Sequence, residues 1–328
     1  MKFVDAPALP ISTKATKATK ALDATVTAVM ASATVAGPGE IACTPLNRQT
    51  NKPAPWQARL ALGFANDQGT TRLIERSHFG PLRVQKTLYP EHPSVCHAII
   101  IHPPGGVVGG DQLTISATVG DKAHALITTP GAAKWYKANG NVSQQQVSLT
   151  VADGATLEWL PQETIFFNHA AVKLDHQVTL AADANYIGSE ILCFGRTASG
   201  ESFDDGKIMQ CTSIRRGGKL IWFEQGTLSG GTAAMRSPLG LANYTVCATL
   251  IAVGKVLPVK VINDLREASN QLVDGQATIG ATQMKSVMVL RFLGHSSELA
   301  RQWMTQAWQQ IRPELSGREA VIPRIWNT

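Results

Sequence analysis

One rhythm constrains this chain more than any other feature. From Trp56 to Leu180, short alternating segments recur roughly every ten residues, separated by turn residues. In residues 56–64 the large side chains Trp56, Leu60, Leu62 and Phe64 fall mostly two apart, the period of a half-buried strand. Residues 71–77 and 82–87 continue the pattern on either side of the turn Gly80-Pro81. Residues 97–102 form a short continuous apolar run, which suits a strand buried on both faces. Leu113, Ile115, Ala117 and Val119 share one face of the next segment; residues 123–129, 142–151 and 155–160 follow it. This spacing fits a sandwich, a barrel or a solenoid, and leaves the choice among them open.

The same reading extends to the end of the chain. Strands are predicted at 187–194, 207–215 and 219–225, with a hairpin turn at Arg216-Gly217-Gly218-Lys219. After Pro238 the pattern changes. A strand at 244–253 is followed by helical spacing over 259–272 and strands at 277–283 and 286–293. A final helix is capped by Ser296, carries Leu299, Trp303, Ala307 and Ile311 on one face, and is expected to stop before Pro313. The organisation predicted is a loose N-terminal extension over 1–54, a β-rich scaffold over 55–237, and a small α+β subdomain with two helices over 238–328. The extension is read so because it repeats a Lys-Ala-Thr triplet and then runs through Ala, Thr and Val. Such a stretch has few large side chains to offset the roughly 1–2 kcal/mol that ordering each backbone residue costs.

Composition narrows the function classes. With 44% hydrophobic residues among 328, the chain can bury a sizeable core, yet no run of 18 uncharged apolar residues marks a membrane span. The five cysteines are dispersed and include no Cys-x-x-Cys, which argues against a disulfide framework or a thiolate zinc cage and favours a reducing cytoplasm. The net charge of +6 comes from scattered Lys and Arg, without the focused basic patch that nucleic-acid binding needs.

Several constellations invite chemistry. Gly105-Gly106-Val107-Val108-Gly109-Gly110 follows a predicted strand as a dinucleotide loop would, but an alternating strand follows it instead of a helix. The helix N-terminus that binds a pyrophosphate is therefore missing, and a backbone turn is the better reading. His92, Cys96 and His97 offer donors for a late divalent transition metal, but no second cluster completes a site, so a structural role is favoured. His169 and His176 read as surface residues in a polar region. Glu201 and Asp204, in a glycine-containing loop, are the carboxylates a glycoside hydrolase would need, so a carbohydrate-active β enzyme is the competing reading. Glu190 and Glu224 lie inside strongly apolar strands. A buried carboxylate is costly unless paired or hydrated, so they either point outward or line a polar interior path for a divalent cation.

Longer motifs carry a resemblance. They are Gly80-Pro81-Leu82-Arg83-Val84-Gln85, Leu88-Tyr89-Pro90-Glu91, His102-Pro103-Pro104-Gly105-Gly106-Val107-Val108-Gly109-Gly110-Asp111, and Thr129-Pro130-Gly131-Ala132-Ala133-Lys134-Trp135-Tyr136. They continue with residues 157–167, Gly195-Arg196-Thr197-Ala198-Ser199-Gly200-Glu201, and the terminal Pro323-Arg324-Ile325-Trp326-Asn327-Thr328. In this order, over residues 56–328, the chain resembles the UreD (UreH) urease accessory proteins. The resemblance implies a mainly β, β-helical two-layer scaffold without catalytic activity. It implies binding to apo-urease and to a helical UreF-like accessory protein, and through that partner to a UreG-like GTPase that delivers nickel. No cofactor is expected to be tightly bound; a nickel ion passes transiently. Asp111, Glu190 and Glu224 are the acidic positions implied for that path. Lys134, Trp135, Tyr136 and Arg196 are candidates for a partner surface, since aromatic residues and Arg are enriched at binding hot spots.

Overall fold

The computed structural model describes residues 56–273 and 275–327, with backbone alone for 268–273. The extension expected over 1–54 lies outside the described residues. In chain order the first strands are β1 (Gln57–Asp67), β2 (Thr70–Phe79), β3 (Arg83–Val84), β4 (Val95–Ile101), β5 (Gln112–Val119) and β6 (His124–Thr128). Next come β7 (Ala133–Trp135), β8 (Ser143–Val151), β9 (Thr156–Leu160), β10 (Thr164–Phe166), β11 (Ala171–Leu180) and β12 (Asn185–Phe194). The hairpin β13 (Lys207–Arg216) and β14 (Lys219–Ser229) turns at the expected glycine pair. The remainder is α1 (Ala233–Arg236), β15 (Val246–Val253), α2 (Val259–Val273), β16 (Ala277–Met284), β17 (Val287–Gly294) and α3 (Ser297–Ser316).

Two sheets face each other, and the chain winds between them. One has seven strands in the order β14-β13-β11-β8-β5-β1-β2; the other runs β16-β17-β15-β12-β9-β6-β4-β3. Successive strands alternate between the sheets, from β4 to β5, β6, β8, β9, β11, β12 and β13, and same-sheet neighbours pair in parallel. Partners such as Gln112 with Gln144 and Val172 with Ser143 show each coil to be about thirty residues long. That is a β-solenoid of two layers, the arrangement the resemblance implied. Antiparallel hairpins close it at β1–β2 and β13–β14.

The helices form a third layer. Val246, Ala248, Leu250 and Ala252 of β15, with Met288, Leu290 and Phe292 of β17, pack against Trp303, Ala307, Trp308 and Ile311 of α3. The second sheet is thus covered on both faces, which explains its continuous apolar strands. β15 pairs directly with β12, so that sheet runs unbroken across residues 237 and 238.

Two local expectations are corrected. The strand expected at 82–87 contracts to β3, because beyond Val84 the backbone bonds to β4 become irregular, from Gln85 N to Ile99 O and between Leu88 and His97. The last helix runs through Pro313 to Ser316 and closes at Gly317, whose N–H reaches the Pro313 carbonyl. Proline costs that helix one backbone bond, but Arg312 and Leu315 stay buried around it, and their anchoring carries the helix past the break. The cap is as expected: the Ser296 hydroxyl accepts from Leu299 N at 3.1 Å.

Candidate functional site

The two sheets do not pack dry along their whole length. A cavity lies between them with room for about 130 Å³ of solvent, several times the roughly 10–15 Å³ one buried water needs. Strand alternation decides what lines it. On β11, Val172, Leu174, His176, Val178 and Leu180 share the inward face, so His176 points into the cavity and is not a surface residue as expected. On β13 the inward set includes Gln210 and Thr212, on β14 Glu224, and on β12 Tyr186 and Glu190.

Polar groups of the cavity pair with one another. Glu190 accepts from Gln210 Nε2 through both oxygens at 2.8 Å. Burial pushes its carboxyl up, the Gln210 bond pulls it back, and the charge of Glu224 adds to the rise. Glu224 is ion-paired with Arg291 Nη2 at 2.6 Å. The other guanidinium nitrogen, Nη1, donates to Thr249 Oγ1 at 2.6 Å, and the Trp222 ring lies 6.0 Å away. Glu190, Thr249 and Arg291 form one row across β12, β15 and β17. His176 bonds the Tyr186 hydroxyl at 3.0 Å, and burial alone pushes its pKa down to about 4. Its imidazole is therefore neutral at pH 7, with one ring nitrogen a donor and the other an acceptor. Among the described residues no three His, Cys, Asp or Glu side chains gather tightly enough to cage a metal ion. The chemistry on offer is sparse oxygen and imidazole donation into the cavity.

Of the three acidic positions singled out in the sequence, the structure brings Glu190 and Glu224 together and leaves Asp111 elsewhere. Asp111 is buried, and its Oδ2 accepts from Val108 N at 2.9 Å, closing its own glycine-rich turn. That turn docks on β7: Val107 pairs with Trp135, and the Tyr136 hydroxyl donates to the Gly105 carbonyl at 3.3 Å. A Cβ on Gly106 would come within 2.3 Å of the Tyr136 ring, so glycine is required there by close approach.

The candidate partner residues divide. Trp135 is 1% exposed and packs as a core residue, so it is withdrawn from the partner surface. Lys134 is exposed, and Tyr136 and Arg196 gather around Phe167, at 4.8 Å between rings and 4.3 Å from guanidinium to ring. Arg196 also pairs with Glu201, whose carboxyl is held below its ordinary value first by that bond, against a burial effect of opposite sign. A general acid needs the opposite shift. Asp204 accepts from the Ser202 hydroxyl in an exposed loop. The competing glycosidase reading therefore gains no support from these two side chains.

A cluster missed in the sequence lies deeper. Glu158 on β9 is fully buried and accepts from His124 Nε2 at 2.6 Å, Trp308 Nε1 at 2.5 Å and Arg312 Nε at 2.9 Å. Arg312 Nη2 reaches Glu91 at 2.8 Å, and Glu91 in turn bonds His97 at 2.8 Å. This chain of charges fastens α3 to β4, β6 and β9. It also settles His97 in a structural role, while His92 bonds Ser94 and the Cys96 thiol is fully buried.

A two-layer β-solenoid with two carboxylates facing a cavity between its sheets is the class of fold and site that the described residues define. Comparison with known sequences gives the family. The profile described as UreD urease accessory protein matches residues 57–327. The urease accessory protein UreD of Janthinobacterium sp. (strain Marseille) is 72% identical over 272 residues, 83% of this chain and 92% of that protein. Those of Nitrosospira multiformis and Dechloromonas aromatica are 54% and 48% identical, covering 84% and 87% of this chain and 99% and 98% of their own. The chain belongs to the UreD family of urease accessory proteins, and its role lies in urease maturation.

Proposed function

We propose that this chain is a non-catalytic scaffold that binds apo-urease and other accessory proteins and passes nickel to the urease active site through the cavity between its sheets. The observation that carries the reading is the placement of Glu190 and Glu224 on opposing sheets around one cavity, with neutral His176 beside it. Few oxygen and imidazole donors, each already engaged by a neighbouring side chain, suit a borderline divalent ion that must be held briefly and released. The partners are apo-urease, a UreF-like helical protein and, through it, a UreG-like GTPase; nucleic acid and membrane have no place in the scheme. Among the described residues no helix is long and apolar enough to cross a membrane. The cytoplasm is the proposed location, and no cofactor is proposed to be resident. Lys134, Tyr136 and Arg196, clustered at one end of the coils, form the proposed partner surface.

Glu224→Ala and Glu190→Ala test the path. Each variant is expected to form the same complex with its partners but to lower nickel loading and urease activation, measured by metal content and urea hydrolysis of the reconstituted enzyme. Unchanged nickel content with both variants overturns the path.

A further inference from the structure

A cation of the protein itself sits against the cavity, bonded to two of the side chains that line it. Arg291 points inward from β17, with one guanidinium nitrogen on Glu224 and the other on the Thr249 hydroxyl, in the same cross-strand row as Glu190. A guanidinium stays charged at any pH the protein meets. A metal ion that reaches Glu224 therefore finds its ligand occupied and a positive charge beside it.

We propose that Arg291 is the resident counter-cation of the passage: it occupies Glu224 in the metal-free state, must be displaced for a divalent ion to be held there, and returns to expel that ion. This rests on the nickel-path reading and supplies its regulation. The exchange turns on the charge each cation offers Glu224. An incoming divalent ion gives Glu224 more charge than the guanidinium it replaces, whereas a monovalent ion gives no more and loses the second hydrogen bond that Thr249 provides. Arg291 thus favours divalent over monovalent cations and keeps the divalent affinity low. Trp222, two residues before Glu224 on the same face of β14, offers the guanidinium ring contact when its ion pair is broken.

The test measures Ni²⁺ binding to the purified full chain by competition with a chromogenic chelator. Arg291→Met, which removes the charge at similar length, is expected to bind Ni²⁺ about tenfold tighter or more, the effect of removing one competing charge near the site. Arg291→Lys is expected to stay near wild type, and Arg291→Met combined with Glu224→Gln to lose the gain. Added guanidinium ion, below denaturing concentration, is expected to weaken binding to the Met variant and to leave wild type unchanged, a rescue that a packing role would not produce. Should the Met variant not fold, Arg291→Gln, which can still donate to Thr249, is read in the same way. Unchanged or weaker Ni²⁺ binding in the neutral variant overturns the proposal. If Glu224→Gln and Glu190→Gln also leave binding unchanged, the path reading fails with it; if they weaken binding, only the role of Arg291 falls.

Discussion

Glu158→Gln isolates the buried charge network, because it keeps shape and removes one charge. Burial alone would raise the proton affinity of this carboxyl. The hydrogen bond and charge of His124, the charge of Arg312 and the Trp308 N–H outweigh that and hold it at about 2, against 4.5 for the free group. At about 1.4 kcal/mol per tenfold in proton affinity, the ionised carboxylate contributes about 3 kcal/mol at neutral pH. Breaking a buried pair from one side costs about 3–5 kcal/mol. Arg312 keeps Glu91 as its second carboxylate, so the lower end applies. The folded value is the depressed one, so the contribution is complete above pH 4.5 and fades as the pH falls through 2. Urea unfolding of the full chain, followed by tryptophan fluorescence, should show the Gln variant about 3 kcal/mol less stable at pH 7, with under half that gap at pH 3. A gap below about 1 kcal/mol at pH 7, or one that does not change with acid, refutes the assignment of that stability to the charged carboxylate.

Two further outcomes follow from burial and close approach. A Cβ on Gly188 would sit 2.0 Å from the Tyr186 hydroxyl, so Gly188→Ala must push that ring into the cavity and strain its bond to His176. It should lower stability by about 1–3 kcal/mol in a melt and reduce urease activation; an unaltered melt with full activation would contradict the crowding argument. Burial pushes the thiols of Cys193 and Cys247 up to about 12. An aromatic disulfide reagent at pH 8 should leave both unmodified in the folded chain and react with both after unfolding, as mapped by mass spectrometry; rapid labelling before unfolding would show that they are not sealed.

Most strands could be read directly from the sequence because the period of two survives wherever one face is apolar, as in β5 and β8. The solenoid could not be distinguished from a sandwich, since pairing such as Gln112 with Gln144 joins residues a whole coil apart and leaves no local trace. β11 hid behind Asp175-His176-Gln177, although Val172, Leu174, Val178 and Leu180 keep the alternation and place His176 inside. Glu158 was open to the same argument that singled out Glu190 and Glu224, a carboxylate within an apolar strand. Its partner Arg312 lies 154 residues away in sequence, at the point where Pro313 was expected to end the helix about one turn too soon. Asp111 shows the converse. A carboxylate at the end of a glycine turn has a local job in capping that turn, and nothing in the sequence separates that job from a metal path.

The cavity runs across the strands, not along them. Its lining steps from Ile115 on β5 through β8, β11 and β13 to Glu224 on β14. With neighbouring strands about 4.8 Å apart, those four steps span about 19 Å. The length of any route through it is thus counted in rungs of a ladder, with one or more lining side chains per rung. Lengthening such a route requires inserting a whole coil of about thirty residues, while its width can be tuned one residue at a time.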